Sequence, residues 1–336
     1  MNSGYKYLNM GSTRIATFDI LKGIGILLVI IGHTFMKEIG PYIQAFHMPL
    51  FFVVAGYFYK HIPLIDQMRK DFRRLIVPYL FIVVSISMIA CFRHFMRTHE
   101  LNFFLSTMYE CGTPAWFLLA LFGAKVLFNI IYKYFIRYYF AIAFVLSSIP
   151  CFISYGIEIN PILSIGSSFC GVFFYAVGYY VKNSESLCKL KDLLPYSSIL
   201  AFVFWLNTSM FGGVDLHNCV FNLWIIDFIG ACSGVFLCYL ISLFIDNRTE
   251  KAKRLLANIG YFSLVIYSFH AIEYVFPEWH QIASFADGTV LRPFVILMLR
   301  LLFVWCAYLI TMRLKMLRYI FFPNMYNFNN NQYQYR

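Results

Sequence analysis

The sequence predicts an all-α, polytopic membrane protein with about ten transmembrane helices and both termini in the cytoplasm. Three observations carry that prediction. Hydrophobic residues make up 60% of the 336 positions and charged residues only 13%, too apolar to leave a polar shell around a soluble core. Apolar stretches long enough to cross a bilayer recur along nearly the whole chain. The cations between them alternate in density from one connecting segment to the next.

The stretches run over 18–36, 43–59, 75–92, 115–132, 138–154, 161–181, 196–211, 219–245, 258–276 and 291–312. The first has Asp19, Lys22 and His33 in and around the run Ile20–Phe35, and it lacks a small-residue cleavage site, so it is expected to act as a signal anchor. The second holds Pro49, expected to free backbone groups inside the span, and Gly56, which would let another helix approach closely. The third follows a cationic run, Arg69-Lys70-Asp71-Phe72-Arg73-Arg74, and opens with Pro78-Tyr79. The fourth opens on Pro114-Ala115-Trp116 and is interrupted by Lys125; the fifth and seventh are short. The ninth contains Gly260-x2-Ser263-x3-Tyr267-x2-His270, and the tenth carries Arg300. Residues 1–17 and 320–336 flank this membrane domain of 18–319. The last of them, rich in Asn, Gln and Tyr, are expected to be disordered.

With the N-terminus inside, 20 Lys and Arg fall in inner segments and only Lys37, Arg93, Arg97 and Arg292 in outer ones; Lys22, Lys125 and Arg300 lie within helices, completing the 27. A missed or extra span would scramble this alternation, so the count and the orientation support each other. The net charge of +11 is thus a topology signal. Cations spread over six segments do not form a nucleic-acid surface. The nine cysteines sit mostly in apolar runs without CxxC or Cys/His ligand spacing, so they read as packing residues and no metal is expected.

Ionisable groups inside a span are costly and mark function by default. Lys22 and His33 are eleven residues apart, about 20° around a helix, and Asp19 lies within about 40° of His33. One face of the first helix therefore presents an acid, a cation and an imidazole. His33 lies roughly 22 Å above the helix start, towards the outer face of a core about 30 Å thick. An imidazole with an unperturbed pKa near neutrality suits removal of a proton from an attacking hydroxyl. Asp19 and Lys22 either orient that site or neutralise each other. Lys70, Arg73 and Arg74 either hold phosphates by forked hydrogen bonds or touch anionic lipid. His47 either contacts a substrate near the outer surface or braces the proline break. Trp116 is either an interfacial belt residue or a stacking platform. Ser263, Tyr267 and His270 share a helix face, for packing or for the site. His61, His94, His99, His217 and His280 are expected in loops.

Together these motifs resemble the family 3 membrane acyltransferases, most closely the fucose O-acetylase-like branch. Lys22-x10-His33 is similar to the family's basic-x10-His signature. Phe46-His47-Met48-Pro49-Leu50-Phe51-Phe52 is similar to its second-helix signature, and the Gly260–His270 pattern to its late-helix signature. The resemblance runs from about Arg14 to about Tyr319. It implies transfer of an acyl group, usually acetyl from acetyl-CoA, to a hydroxyl of a surface or exported glycan. His33 would then be the general base, with Lys22 and Asp19 around it. Lys70, Arg73 and Arg74 would hold coenzyme A, and His47, Trp116, Ser263, Tyr267 and His270 the acceptor side. The implied setting is a bacterial inner membrane, with a lipid-linked saccharide or glycan and membrane lipid as partners. The competing class is a transporter or flippase of lipid-linked sugars, which also needs intramembrane charges and broken helices. Against it stand the absence of hydropathy symmetry between the halves and the placement of His33 opposite a cytoplasmic cationic cluster.

Overall fold

The computed structural model describes residues 16–98, 113–154, 164–184, 194–248, 250–273 and 278–322. Each of the ten apolar stretches contains a helix, with breaks and bends the sequence does not mark, and the eighth enters its helix only at Ile225, after a short strand. In chain order the helices are α1 (Ala16–Thr34), α2 (Gly40–Gln44), α3 (His47–Tyr57), α4 (Leu64–Asp71), α5 (Val77–Thr98), α6 (Trp116–Phe135), α7 (Tyr139–Ser154) and α8 (Ile165–Asn183). They continue with α9 (Leu194–Phe211), α10 (Ile225–Arg248), α11 (Glu250–Tyr261), α12 (Ser263–Glu273), α13 (Glu278–Ile282), α14 (Leu291–Arg313) and α15 (Lys315–Phe321). Among the described residues five helical spans are long and apolar enough to cross a membrane: α1, α4–α5, α6, α10 and α14. A sixth arises if α11 and α12, bent by 64° at Phe262, count as one broken span. This is a multi-pass membrane protein.

Three departures from the sequence reading bear on the site. The second stretch is a short α2 followed by an eleven-residue α3, and Pro49 falls in the first turn of α3. First-turn amides have no partner within the helix anyway, so this proline frees nothing. The third stretch starts earlier than its apolar core: α4 runs into α5 through a π-helical turn, Phe72–Ile76, which carries Arg73 and Arg74. Two histidines expected in loops are helical, His94 in α5 and His280 in α13, whereas His217 lies in the β-hairpin turn and His99 falls outside the described residues.

Close backbone contacts organise the bundle. Gly23 of α1 and Gly260 of α11 face each other so tightly that a methyl group on either would overlap the other helix's backbone. Gly56 of α3 and Gly178 of α8 form a second crossing of the same kind, against the Tyr175 and Val53 carbonyls. Such small-residue crossings replace the hydrophobic driving force that is absent between helices in lipid. The main core lies among α3, α5, α6, α7, α8 and α10 and is aromatic, with Phe52, Phe128, Phe174, Tyr175 and Phe228 almost fully buried. Outside the helices, Val214–Asp215 and Val220–Phe221 pair antiparallel as a short hairpin, β1–β2, between α9 and α10.

Candidate active site

The last turn of α1 meets the last turn of α12. There the rings of His33 and His270 lie 5.4 Å apart, centroid to centroid. His270 is buried and its Nδ1 is 2.6 Å from Oε1 of Glu273, one helical turn on. Glu273 has no exposed surface. Its other oxygen accepts a 2.5 Å hydrogen bond from Trp279 Nε1 of α13. Both carboxylate oxygens thus receive N–H donors, so Nδ1 of His270 carries a hydrogen. Nε2 is buried and makes no hydrogen bond among the described residues. Arg300 of α14 closes the cluster: its Nη1 donates to Thr34 Oγ1 at 3.2 Å, and its Nε stands 3.7 Å from Glu273 Oε1. A buried carboxylate and a buried guanidinium thereby compensate each other. His47, buried at the start of α3, donates from Nδ1 to the Ile43 carbonyl at 3.0 Å and lies within electrostatic range of His33, as does Arg300.

Other residues singled out in the sequence divide into two groups. Tyr267 donates to the Pro114 carbonyl at 3.0 Å, tying α12 to the start of α6. Trp116, at that start, packs edge-on against His217 of the hairpin at 5.2 Å. These residues, with His33, His47 and His270, lie at helix ends that the charge pattern assigns to the outer side. Ser263 is at the opposite end of α12, beside the bend. Asp19 and Lys22 form a 2.8 Å ion pair next to the Gly23–Gly260 crossing. Along the helix axis Lys22 is about 16 Å from His33, so the shared face seen in the sequence is occupied at two separate levels.

The cationic residues sit at the other end. Arg73 donates to the Tyr319 hydroxyl at 2.7 Å, with its guanidinium 5.6 Å from that ring's centroid. Lys70 is exposed and Arg74 half-buried. Beneath them Lys125 is explained: its ammonium contacts Oδ1 of the buried Asp71 at 2.5 Å. Gln67 donates to the Lys125 carbonyl at 3.0 Å, and Asn129 donates to Gln67 and, at 3.1 Å, to the Ile62 carbonyl. This buried network clamps α4 and its π-turn onto α6. Among the described residues no group of three His, Cys, Asp or Glu is placed to hold a metal ion.

Compared with known families, residues 15–312 match the family 3 acyltransferase domain. The chain is a family 3 acyltransferase. A curated relative, the nodulation protein NolL of Sinorhizobium fredii (strain NBRC 101917 / NGR234), is 28% identical over 226 residues, 58% of this chain and 58% of its own length. The acyltransferase therefore spans a little over half of that relative. No solved structure matches it.

In this acyltransferase, sequence reasoning overlooked Glu273, Arg300, Thr34 and Trp279 as site residues. A signal existed for two of them. Glu273 and Arg300 are charges inside apolar runs, the same criterion that drew attention to His33. Their partnership spans 27 positions and two helices, which no local spacing rule reveals.

Proposed function

We propose that the enzyme moves an acetyl group from cytoplasmic acetyl-CoA to a sugar hydroxyl of a cell-surface or exported glycan, as a multi-pass protein of a bacterial inner membrane. The observation that carries this reading is the paired imidazoles at the outer end of α1, backed by a buried carboxylate, with a cationic helix at the opposite end of the bundle. Lys70, Arg73 and Arg74 hold the phosphates of the donor, because guanidinium groups bind phosphate through two parallel hydrogen bonds. Residues 18–319 form the membrane acyltransferase domain, with 1–17 and 320–336 on its cytoplasmic side. The donor's long arm carries the thioester up towards His33.

At the outer end His33 takes the proton from the acceptor hydroxyl as its oxygen attacks the thioester carbonyl. The new C–O bond forms, the C–S bond breaks, and the proton passes to the departing coenzyme A thiolate. Positioned proton transfer of this kind contributes about 10²–10⁴-fold. Arg300 compensates Glu273, and Lys22 with Asp19 fixes the crossing on which α1 rests. His47 and Trp116 face the acceptor side, with Ser263 and Tyr267 shaping α12. The motif likeness to the fucose O-acetylase branch points to a deoxysugar or a related polysaccharide unit.

One observation favours a second assignment of the base. His270, not His33, has the ring orientation fixed by a carboxylate that general bases use, with an Nε2 that no described residue hydrogen-bonds. Membranes with and without the chain, supplied with acetyl-CoA labelled in the acetyl group, test the function. Label should enter the glycan fraction only where the chain is present. Equal labelling of both would refute the reading. Loss of labelling in His270→Ala but not in His33→Ala would move the base to His270.

A further inference from the structure

An open cleft of about 240 Å³ lies on the face that the charge pattern assigns to the outside, between α2, the end of α9 and the β1–β2 hairpin. Its walls are polar in a particular way. They include the amides of Gln44, Asn218 and Asn222 and the carboxylate of Asp215, and no Lys or Arg is among the lining residues. Small apolar surfaces, including Ala45, lie between these groups.

The hairpin supports the arrangement from within. Asp215 accepts from the Asn218 backbone amide at 3.0 Å and from its side-chain amide at 2.7 Å, and Asn222 donates to the Gly212 carbonyl at 3.2 Å. Each side chain is held in place and keeps hydrogen-bonding capacity to spare: lone pairs on both Asp215 oxygens and the free carbonyl oxygens of the two asparagine amides. The Gln44 side chain forms no hydrogen bond among the described residues. Planar amides and a carboxylate beside small apolar patches match a ligand with hydroxyl groups and C–H faces. A wall with Asp215 and no cation disfavours an anion. The cleft is smaller than the roughly 300–1,000 Å³ of pockets for drug-sized ligands, so it suits a single unit of a longer chain.

The cleft neighbours the imidazoles through the α2–α3 connection. Ala45 of its lining is two residues before His47, Asp215 acts electrostatically on His47, and His47 in turn on His33. Gly32, beside His33, packs against Ile43 of the same α2 wall. We propose that this cleft is the acceptor subsite, holding one uncharged sugar unit of the glycan beside His47. The proposal rests on the reading of the protein as a glycan acyltransferase.

The test uses the full chain in intact cells. Gln44→Cys and Asn218→Cys, on opposite walls, are treated from outside with a charged, membrane-impermeant methanethiosulfonate reagent. Base-released acetate from surface glycans is then compared with the untreated sample of the same variant. The wild-type chain and Val290→Cys, an outer position that is 82% exposed and away from the cleft, are the controls. Modification should lower acetylation at least tenfold at both cleft positions and at neither control, with binding of labelled acetyl-CoA by the same membranes retained. Undiminished acetylation at either modified cleft position, in cells where the wild-type chain does acetylate, overturns the subsite and leaves the transfer reading standing. Absence of acetate from wild-type cells overturns the transfer reading and the subsite with it.

Discussion

Glu273 is the residue on which the outer cluster turns. It is fully buried, accepts hydrogen bonds from His270 and Trp279 at once, and has Arg300 as its only charged neighbour among the described residues. Changing it to Gln keeps the shape but removes the charge that orients the His270 ring and offsets Arg300. Hydrogen bonds to a charged group are worth about 1.5–3 kcal/mol, so Glu273→Gln should lower kcat by roughly 10- to 100-fold. The KM for acyl-CoA should stay within about twofold, since the proposed donor site lies at the other face. Steady-state kinetics in proteoliposomes separates the two parameters. An unchanged kcat would show that the carboxylate serves packing alone. At this scale the sequence was partly readable. His33 and His270 stand out as imidazoles in apolar runs, and Glu273 sits at a readable three-residue spacing from His270. The Arg300–Thr34 bond joins positions 266 apart, and only the folded bundle brings them together.

At the level of elements, the cationic face depends on how α4 and its π-turn are seated. A π-turn inserts an extra residue into the helical register and recurs at functional sites. Here it sets the direction of Arg73 and Arg74, and the buried Asp71–Lys125 pair fastens it to α6. Lys125→Met leaves the Asp71 carboxylate buried without its cation and should cost about 3–5 kcal/mol. The double variant Asp71→Leu, Lys125→Met removes both charges and should recover most of that loss. Thermal unfolding in detergent measures both. A double variant no more stable than the single one would contradict the role of the pair as a clamp.

Elements were the most legible level in the sequence. Every apolar stretch contains a helix, though the eighth begins in strand β2, and Gly56 does let another helix approach, as its place in the second stretch suggested. Hydropathy does not register the π-turn, the 64° bend at Phe262 or the first-turn placement of Pro49. Each is a local choice of hydrogen-bond register made under tertiary packing. Lys125 looked like an interruption of a span because its partner is 54 residues away.

Over the whole molecule, the His33, His47 and His270 cluster lies at one end and the Arg73–Arg74 turn at the other, with a transmembrane bundle between. That separation assigns distinct kinetic signatures to the two ends. Neutralising Arg73 and Arg74 together, as Arg73→Gln with Arg74→Gln, should raise the KM for acyl-CoA at least tenfold, since each phosphate contact by a charged donor contributes about 1.5–3 kcal/mol. The turnover at saturating donor should change little. Binding of labelled acetyl-CoA to membranes reads the same loss directly, and unchanged binding would remove the cations from the donor site.

The proposed transfer across the bilayer stands most directly on His33. O-acetyl content of surface glycans, compared between cells carrying the wild-type chain and His33→Ala at equal membrane abundance, is the measurement to make. Loss of the imidazole should reduce acetylation by about 10²–10⁴-fold, to the level of cells without the chain. Equal acetylation in the two strains would contradict the assignment of His33 as the base.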